Sequence, residues 1–207
     1  MSTTKYFNFP ITLLKGFLSD DKACLNNICY YALYQHSLVL DHGDELDTFK
    51  SSASFYKITL PSAESFFAKG QKLYEDLHNT PKCGLNLDVF WEYYKNEKSE
   101  FEKVSLLGFL AIKSILGRKA YCKVDNKFWL SRMSGESKSL DISELDPKIQ
   151  KYNTEYQTKK IKSELKHNWG LRTYSRYTRG FYVSFKLDLE DLIFEVEKKR
   201  KTLKEKQ

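Results

Sequence analysis

The clearest chemical pattern in the sequence is a row of cations on the segment that follows Pro147. Four lysines and one acid, Glu155, recur there at intervals of four, four, three and four residues, which is the spacing of one helix face. The lysines of this row are Lys151, Lys159, Lys162 and Lys166. A helix with such a face fits the major groove of DNA, where its ammonium groups reach phosphate oxygens and base acceptors. We therefore expect the row to contact nucleic acid.

A second set of cations and tyrosines alternates with other residues after Gly170. This period-two alternation runs up to Leu187 and is interrupted by a turn at residues 177–180, which predicts a two-stranded hairpin. The outward side of the hairpin carries Arg172, Tyr174, Arg176, Tyr182 and Lys186, with Arg179 at the tip. Arginine suits the narrow, electronegative minor groove, and tyrosine hydroxyls donate to phosphate oxygens. These residues are predicted to complete the contact surface.

Both patterns also have a plainer interpretation. A lysine-rich helix face is usually a solvated face, and tyrosine and arginine are also enriched at protein interfaces. The charge balance favours nucleic acid, because residues 1–100 contain 10 lysines against 13 acidic residues, whereas residues 101–207 contain 24 lysines and arginines against 14 acidic residues. Since every arginine lies in the second part, the sequence predicts that this part faces a polyanion.

Catalytic and metal-binding patterns are weaker. Asp125-Asn126-Lys127 follows a short β-type run and resembles the acid-x-lysine element of metal-dependent nucleases, but an N-capping aspartate explains the same residues. The spacing of the acidic loop 41–47 is not that of an EF-hand. The four cysteines form no CxxC pair and are expected to be reduced and buried. We therefore expect a protein that is not an enzyme, with no metal site and no cofactor.

The elements of the first half follow from hydrophobic spacing. That spacing predicts an amphipathic helix over Asp21–Leu38 and a second helix over about residues 46–56. A turn at 57–60 then leads to Pro61, which is predicted to be the first residue of a third helix that ends at about Leu77. Two helices joined by a short turn outline a helix-turn-helix, and the low positive charge of this stretch assigns it to packing or dimerisation.

In the second half, a helix is predicted to end at Gly117 and to be followed by a short strand at Tyr121–Val124. Asp125 is predicted to cap the next helix. The connection that follows, residues 136–147, is either an inserted loop or a segment with a short extra helix near Ile142–Leu145.

The third helix of this half is predicted to be long, from Pro147 to the closing residues 168–170, with Tyr156 on its apolar side. After the hairpin, Asp188 is predicted to cap a last amphipathic helix with a basic tail.

The order helix, short strand, helix, helix, hairpin resembles the layout of the winged-helix superfamily over about residues 101–187. The features that carry the resemblance are the Gly117 stop, the YCKV strand, the Asp125-capped helix and the WGLRTYSRYTRGFYVSF hairpin. The long connection between the second and third helices departs from the family. The resemblance implies a mainly α fold with a small β-hairpin (α+β). The implied domains are a helical domain over 1–98, a winged-helix-like nucleic-acid-binding domain over 99–187 and a C-terminal amphipathic helix with a basic tail over 188–207.

This resemblance implies a DNA-binding protein in transcriptional regulation or replication initiation, and its tandem layout is similar to that of plasmid-type replication initiators. The alternative is a non-catalytic interaction module that docks on another protein. Double-stranded DNA is the expected partner, and a homodimer through the N-terminal domain or the C-terminal helix stays open. The sequence has no apolar run of membrane-spanning length and no signal-peptide pattern, so no membrane partner is expected and the expected location is cytoplasmic.

Overall fold

A computed structural model describes residues 5–40, 43–176 and 180–204 of the chain. Within these ranges the fold is mainly helical with two small antiparallel sheets, so the predicted α+β class is confirmed. The chain divides into two compact units, Met1–Ser99 and Glu100–Gln207. Among the described helices, none combines the length and the apolar character that a bilayer crossing requires.

The first unit contains long helices that pack on one another. Its elements are β1 (Tyr6–Pro10), α1 (Asp21–Ser37), α2 (Glu45–Tyr56), α3 (Ala63–Leu77), β2 (Lys82–Asn86) and α4 (Leu87–Lys95). The first two predicted helices are confirmed, with ends that differ by a single residue. The prediction that Pro61 opens the third helix is wrong. The hydroxyl of Ser62 accepts from the amide of Ser65 at 3.3 Å, which makes Ser62 the cap and Ala63 the first helical residue.

The first unit also contains a small sheet, which the local sequence spacing does not predict. β1 and β2 pair antiparallel, with Phe7 opposite Leu85 and Phe9 opposite Cys83. These four side chains are buried, so the sheet is part of the core. Phe9 and Cys83 are 74 positions apart in the chain. A pairing of such long range leaves no trace in the period of a single short segment.

Helices α1 and α3 approach each other closely at Gly70. A Cβ atom at this position would lie 2.5 Å from the backbone oxygen of Tyr30 and 2.8 Å from the Cβ atom of Tyr34. Such distances are far inside van der Waals contact, so the crossing requires glycine. Aromatic rings fill the space beside it, and the rings of Tyr30 and Phe66 meet edge to face at 4.7 Å.

The second unit packs helices against both faces of a three-stranded sheet. Its elements are α5 (Glu100–Leu116), β3 (Tyr121–Val124), α6 (Asn126–Met133), α7 (Pro147–Gln150), α8 (Glu155–Asn168), β4 (Arg172–Tyr174), β5 (Phe181–Ser184) and α9 (Leu189–Lys204). The strand order is β3-β5-β4 and both pairings are antiparallel. The predicted hairpin is therefore present as β4 and β5, and the YCKV strand pairs with its second strand.

Trp129 of α6 lies at the centre of this core. It is fully buried, and its Nε1 donates to the backbone oxygen of Gly108 in α5 at 3.0 Å. Ile161 and Leu165 of α8 pack over the same glycine, because a Cβ atom there would lie 3.1 Å from Cγ2 of Ile161. The ring of Phe181, on the inner face of the sheet, meets Trp129 at 6.0 Å. These contacts fix which side of α8 faces inward.

The local signals for helix ends in this unit are confirmed. The carboxylate of Asp125 accepts from the amide of Phe128 at 2.7 Å, and that of Asp188 accepts from the amide of Asp191 at 2.8 Å. Gly117 follows α5 with a φ of 53°, a left-handed conformation that glycine adopts without strain. Caps depend on neighbours within one helical turn, which is why the sequence reveals them.

The prediction of one long helix from Pro147 onward is wrong. The chain forms α7, leaves the helical path after Gln150 and begins α8 at Glu155. Thr154 caps the second helix, because its hydroxyl accepts from the amide of Gln157 at 3.2 Å. In the preceding connection, a 3₁₀ turn at Ile142–Glu144 confirms the short extra helix that was one of the two predicted forms.

Candidate nucleic-acid interface

Helix α8 presents a basic side to solvent. Its opposite side is buried through Thr158, Ile161 and Leu165. Lys159 and Lys166 both lie on the exposed part of the helix. Lys159 forms an ion pair with Glu155 one turn earlier, at 2.7 Å. Both side chains of this pair are in water, where ion pairs are weak and readily exchanged for a phosphate oxygen.

Two further residues belong to this exposed side. Tyr156 is 73% exposed, so its predicted place on the apolar side is wrong. It lies five positions before Ile161 and therefore about 140° around the helix from it. Lys160 is also exposed, and its Nζ lies 4.3 Å from the ring centroid of Phe101. In the sequence, counting helical positions from Ile161 and Leu165 identifies both residues as exposed.

Lys162 is turned toward the core edge instead of solvent. Its Nζ donates to Oδ1 of Asn126 at 2.9 Å and lies 3.7 Å from the ring centroid of Phe181. Burial lowers the pKa of this lysine to about 8, and the charges of Lys166 and Lys159 act in the same direction. The side chain joins α8, α6 and β5, so its contribution to binding a ligand is smaller than the sequence row predicts.

Lys151 does not belong to the row, because it follows α7 and precedes the start of α8. Its Nζ pairs with Oε1 of Glu100 at 2.6 Å. The buried Tyr152 donates to the same carboxylate oxygen at 2.5 Å. The hydrogen bonds from Lys151 and Tyr152 lower the pKa of Glu100 below its usual value. The role of Lys151 seen in the structure is therefore to connect α7 with the start of α5.

The outer face of the hairpin is engaged by α9. Arg176 donates from Nη1 to Oε2 of Glu197 at 2.7 Å, and the hydroxyl of Tyr174 donates to Oε1 of the same residue at 2.9 Å. The hydrogen bond to Glu197 raises the pKa of Tyr174. Arg200 lies 3.6 Å from Oε1 of Glu197 and completes the group. Two of the predicted contact residues thus share one carboxylate of the last helix.

The other hairpin residues occupy separate places. Arg172 is exposed at the start of β4, on the same side of the sheet as Tyr174, and Tyr182 lies opposite Tyr174 in the pairing of β4 with β5. Lys186 lies beyond β5, where its Nζ donates to the backbone oxygen of Arg118 at 3.3 Å. Arg179, the predicted tip, lies outside the described residues.

The nuclease-like run and the acidic loop serve the fold. The carboxylate of Asp125 caps α6, and Lys127 forms an ion pair with Asp141. In the acidic loop, Asp44 caps α2 by accepting from the amide of Asp47 at 3.0 Å. Over the residues that the structure describes, no three His, Cys, Asp or Glu side chains are grouped in a way that would hold a metal ion.

The cysteines are free thiols, as predicted, and three of them are buried. Burial raises the pKa of Cys29 to about 12. Burial, together with the charges of Asp20 and Asp21, raises the pKa of Cys24 to about 11. Thiols with raised pKa values are poor nucleophiles at neutral pH. Cys122 is only half-buried and lies on β3.

Comparisons with known proteins add no family to this geometry. No protein-family model, no curated protein and no solved structure matches the chain.

Proposed function

We propose that the second unit binds double-stranded DNA, without catalysing a reaction, through the exposed side of α8. The observation that carries the proposal is the arrangement of Tyr156, Lys159, Lys160 and Lys166 on one helix whose other side is buried. A helix with its side chains is about 10–12 Å across, and the major groove of DNA admits one. Ammonium and phenol groups both donate to phosphate oxygens, so this side suits contacts that position a helix on a duplex.

The layout of the unit supports a winged-helix interpretation of the same contact. α5, β3, α6, α8 and the β4–β5 hairpin follow in the order that the resemblance implies, and β3 joins the hairpin in one sheet. In this interpretation α8 is the recognition helix and the hairpin is the wing. Arg176 lies two residues beyond β4, next to the predicted turn, which is where a wing approaches the minor groove. Such a protein serves transcriptional regulation or replication initiation.

The test is the salt dependence of duplex binding by the full chain. Fluorescence anisotropy with a labelled duplex of random sequence is measured between about 50 and 200 mM salt. Three to four phosphate contacts predict that the logarithm of the binding constant falls with the logarithm of the salt concentration with a slope of about −3. Absence of binding at the lowest salt concentration, or binding that ignores ionic strength, contradicts the proposal.

A protein-interaction module is the second candidate, and one observation favours it. Phe194 of α9 is 63% exposed, and Leu189 of the same helix is 46% exposed. Exposed apolar side chains on an amphipathic helix are typical of an interface between subunits. Sedimentation of the full chain tests a homodimer through α9. A mass that rises with concentration and falls back in Phe194→Gln, without duplex binding, favours this candidate over the first.

A further inference from the structure

We propose that the outer side of β3 and helix α9 form a pocket that binds a nucleotide by its phosphate group. The pocket has a volume of about 560 Å³, within the usual size range of small-molecule sites. Three lysines and two tyrosines line it, namely Lys119, Lys123, Lys199, Tyr121 and Tyr182. The pocket does not include the exposed side of α8, so this proposal is independent of the α8 contact with DNA, although Tyr182 is also one of the predicted hairpin contact residues.

The alternation of side chains along β3 brings the first cations together. Tyr121 and Lys123 are two positions apart on β3 and therefore extend to the same side of the strand, and Lys119, which precedes the strand, lines the same pocket. In the pairing with β5, Lys123 lies opposite Tyr182. β3 is an edge strand of the sheet, so one flank of this group is open. The ends of these two lysine side chains are thus available to a ligand from solvent.

Helix α9 closes the other side of the pocket. The hydroxyl of Tyr121 donates to the backbone oxygen of Glu195 at 3.5 Å, which holds this turn of the helix beside the strand. Lys199 follows Glu195 by four positions, so it lies on the same side of α9 one turn later. The third cation therefore comes from a different element, and the pocket depends on the folded unit.

The pocket is electropositive. Lys119, Lys123 and Lys199 make no ion pair with any residue in the described part of the chain. The acid nearby is Glu195; burial, and after it the charge of Glu195, raises the pKa of Tyr121. Among the described residues, three lysines and no carboxylate line this concave site, and a positive field in such a site attracts anions strongly.

The chemistry of the lining selects a nucleotide among anions. A phosphate group has several acceptor oxygens, and each ammonium group offers three donors, so converging lysines match it. The rings of Tyr121 and Tyr182 lie 6.4 Å apart, and both residues line the pocket together with the half-buried Cys122. Aromatic rings beside a basic groove are the usual platform for a nucleobase. The ligand is a free nucleotide or a nucleotide unit of a single strand.

Isothermal titration calorimetry of the full chain tests the site, with adenosine 5′-monophosphate, adenosine and a deoxyadenosine hexanucleotide as probes. We expect the monophosphate or the hexanucleotide to bind and adenosine to bind at least about tenfold more weakly, since it lacks the charged acceptor. Lys119→Gln together with Lys123→Gln is expected to weaken binding about tenfold or more. The matched control is Lys138→Gln together with Lys201→Gln, which removes the same charge from exposed lysines of the same unit.

Tyr182 separates a nucleotide site from a simple anion site. Tyr182→Leu removes the ring, and we expect it to weaken binding of the monophosphate while binding of inorganic phosphate is retained. Tyr182→Phe keeps the ring and is expected to bind the monophosphate like the unchanged chain. Circular dichroism verifies that each variant is folded. Equal loss of both ligands in Tyr182→Leu overturns the assignment of a nucleotide.

The remaining outcomes are decisive in either direction. Binding of the monophosphate identifies a free nucleotide as the ligand, and binding of the hexanucleotide alone identifies a unit of a single strand; both support the pocket. Binding of neither probe, or equal effects of the two lysine pairs, overturns it. Lys159→Gln together with Lys160→Gln on α8 is expected to leave this binding unchanged. Failure of the duplex experiment and failure of the pocket are thereby distinguished.

Discussion

Arg176 donates to Glu197 across the gap between the hairpin and α9, with 2.7 Å between Nη1 and Oε2. Arg176 is 49% exposed and Glu197 is 29% exposed, so solvent screens the pair and its contribution to stability is at most about 1 kcal/mol. The pair matters more for the availability of Arg176 to a ligand than for the stability of the fold. While the pair is formed, the guanidinium group is oriented toward the protein's own carboxylate and competes with a phosphate for the same donors.

Removal of this carboxylate is expected to strengthen duplex binding. Glu197→Gln frees Arg176 and removes a negative charge beside the hairpin, and we predict about threefold tighter binding at low salt. The measurement is fluorescence anisotropy with the random duplex. Glu190→Gln is the control, because it removes the same charge from an exposed position on the same helix. Equal effects of the two variants would show that only net charge matters.

The exposed lysines of α8 are expected to carry most of the salt dependence. Lys159→Gln with Lys166→Gln should weaken duplex binding about tenfold near 50 mM salt and reduce the magnitude of the salt slope by about 2. Lys57→Gln with Lys72→Gln in the first unit removes two charges as well and should have little effect. Similar losses from both pairs would place the contact elsewhere.

The hairpin arginines provide a separate test of the wing. Arg176→Ala with Arg179→Ala is expected to weaken binding, because both side chains are predicted to approach the minor groove. Lys57→Ala with Lys72→Ala is the matched double change. If only the α8 variant loses affinity, the helix contact stands and the wing assignment falls.

Lys162 predicts a pH dependence of stability. Burial lowers its pKa from 10.5 to about 8 in the folded chain. Between these values the unfolded chain binds the additional proton, so the free energy of unfolding rises with pH, and below about pH 8 the buried charge destabilises the fold. We expect Lys162→Met to be more stable than the unchanged chain near pH 7 by about 1 kcal/mol, after allowance for solvent screening. Urea unfolding near pH 7 and near pH 10 checks this.

This account is supported if the free energies of unfolding of Lys162→Met and of the unchanged chain differ less near pH 10 than near pH 7. A constant difference would mean that the methionine acts by packing alone. Lys138→Met is a suitable control, since Lys138 is an exposed lysine of the same unit.

Gly70 predicts a packing defect in the first unit. A methyl group there meets the backbone oxygen of Tyr30, which cannot rotate away, so α1 and α3 must separate. We expect Gly70→Ala to lower the free energy of unfolding by about 2–3 kcal/mol, although alanine favours the helix more than glycine does. Urea unfolding measures the loss, and Lys72→Ala on the exposed side of α3 should show almost none. An unchanged midpoint in Gly70→Ala would mean that the two helices are less tightly packed.

Much of the second unit follows from local signals. Asp125 and Asp188 begin helices and Gly117 ends one, because a cap needs only atoms within a single turn. The hairpin strands and the YCKV strand follow from period-two alternation and from the residues of the turn. Thr154 is also a residue type that caps helices, and a helical run follows it. The regular spacing of lysines from Lys151 to Lys166 predicts instead one continuous helix through this position.

The strands of the first unit are not predicted by local signals in the sequence. The strands that contain Phe9 and Cys83 are short and far apart in the chain, and neither is recognisable without the other. Residue types also leave the direction of a helix face open within a wide angle, and the burial of Thr158, Ile161 and Leu165 places Tyr156 and Lys160 on the exposed side of α8.

The sequence by itself determined the end of α5, the starts of α6 and α9, the hairpin and the concentration of positive charge in that half, because each depends on composition or on neighbours a few positions away. Only the tertiary structure decided what each cation faces. It placed Lys162 against Phe181, Lys151 beside Glu100 and Arg176 on Glu197, and it gathered the three lysines of the β3–α9 pocket. Helical and strand periods say which residues share a side of one element, whereas partners from other elements are set by packing of segments that are distant in the chain.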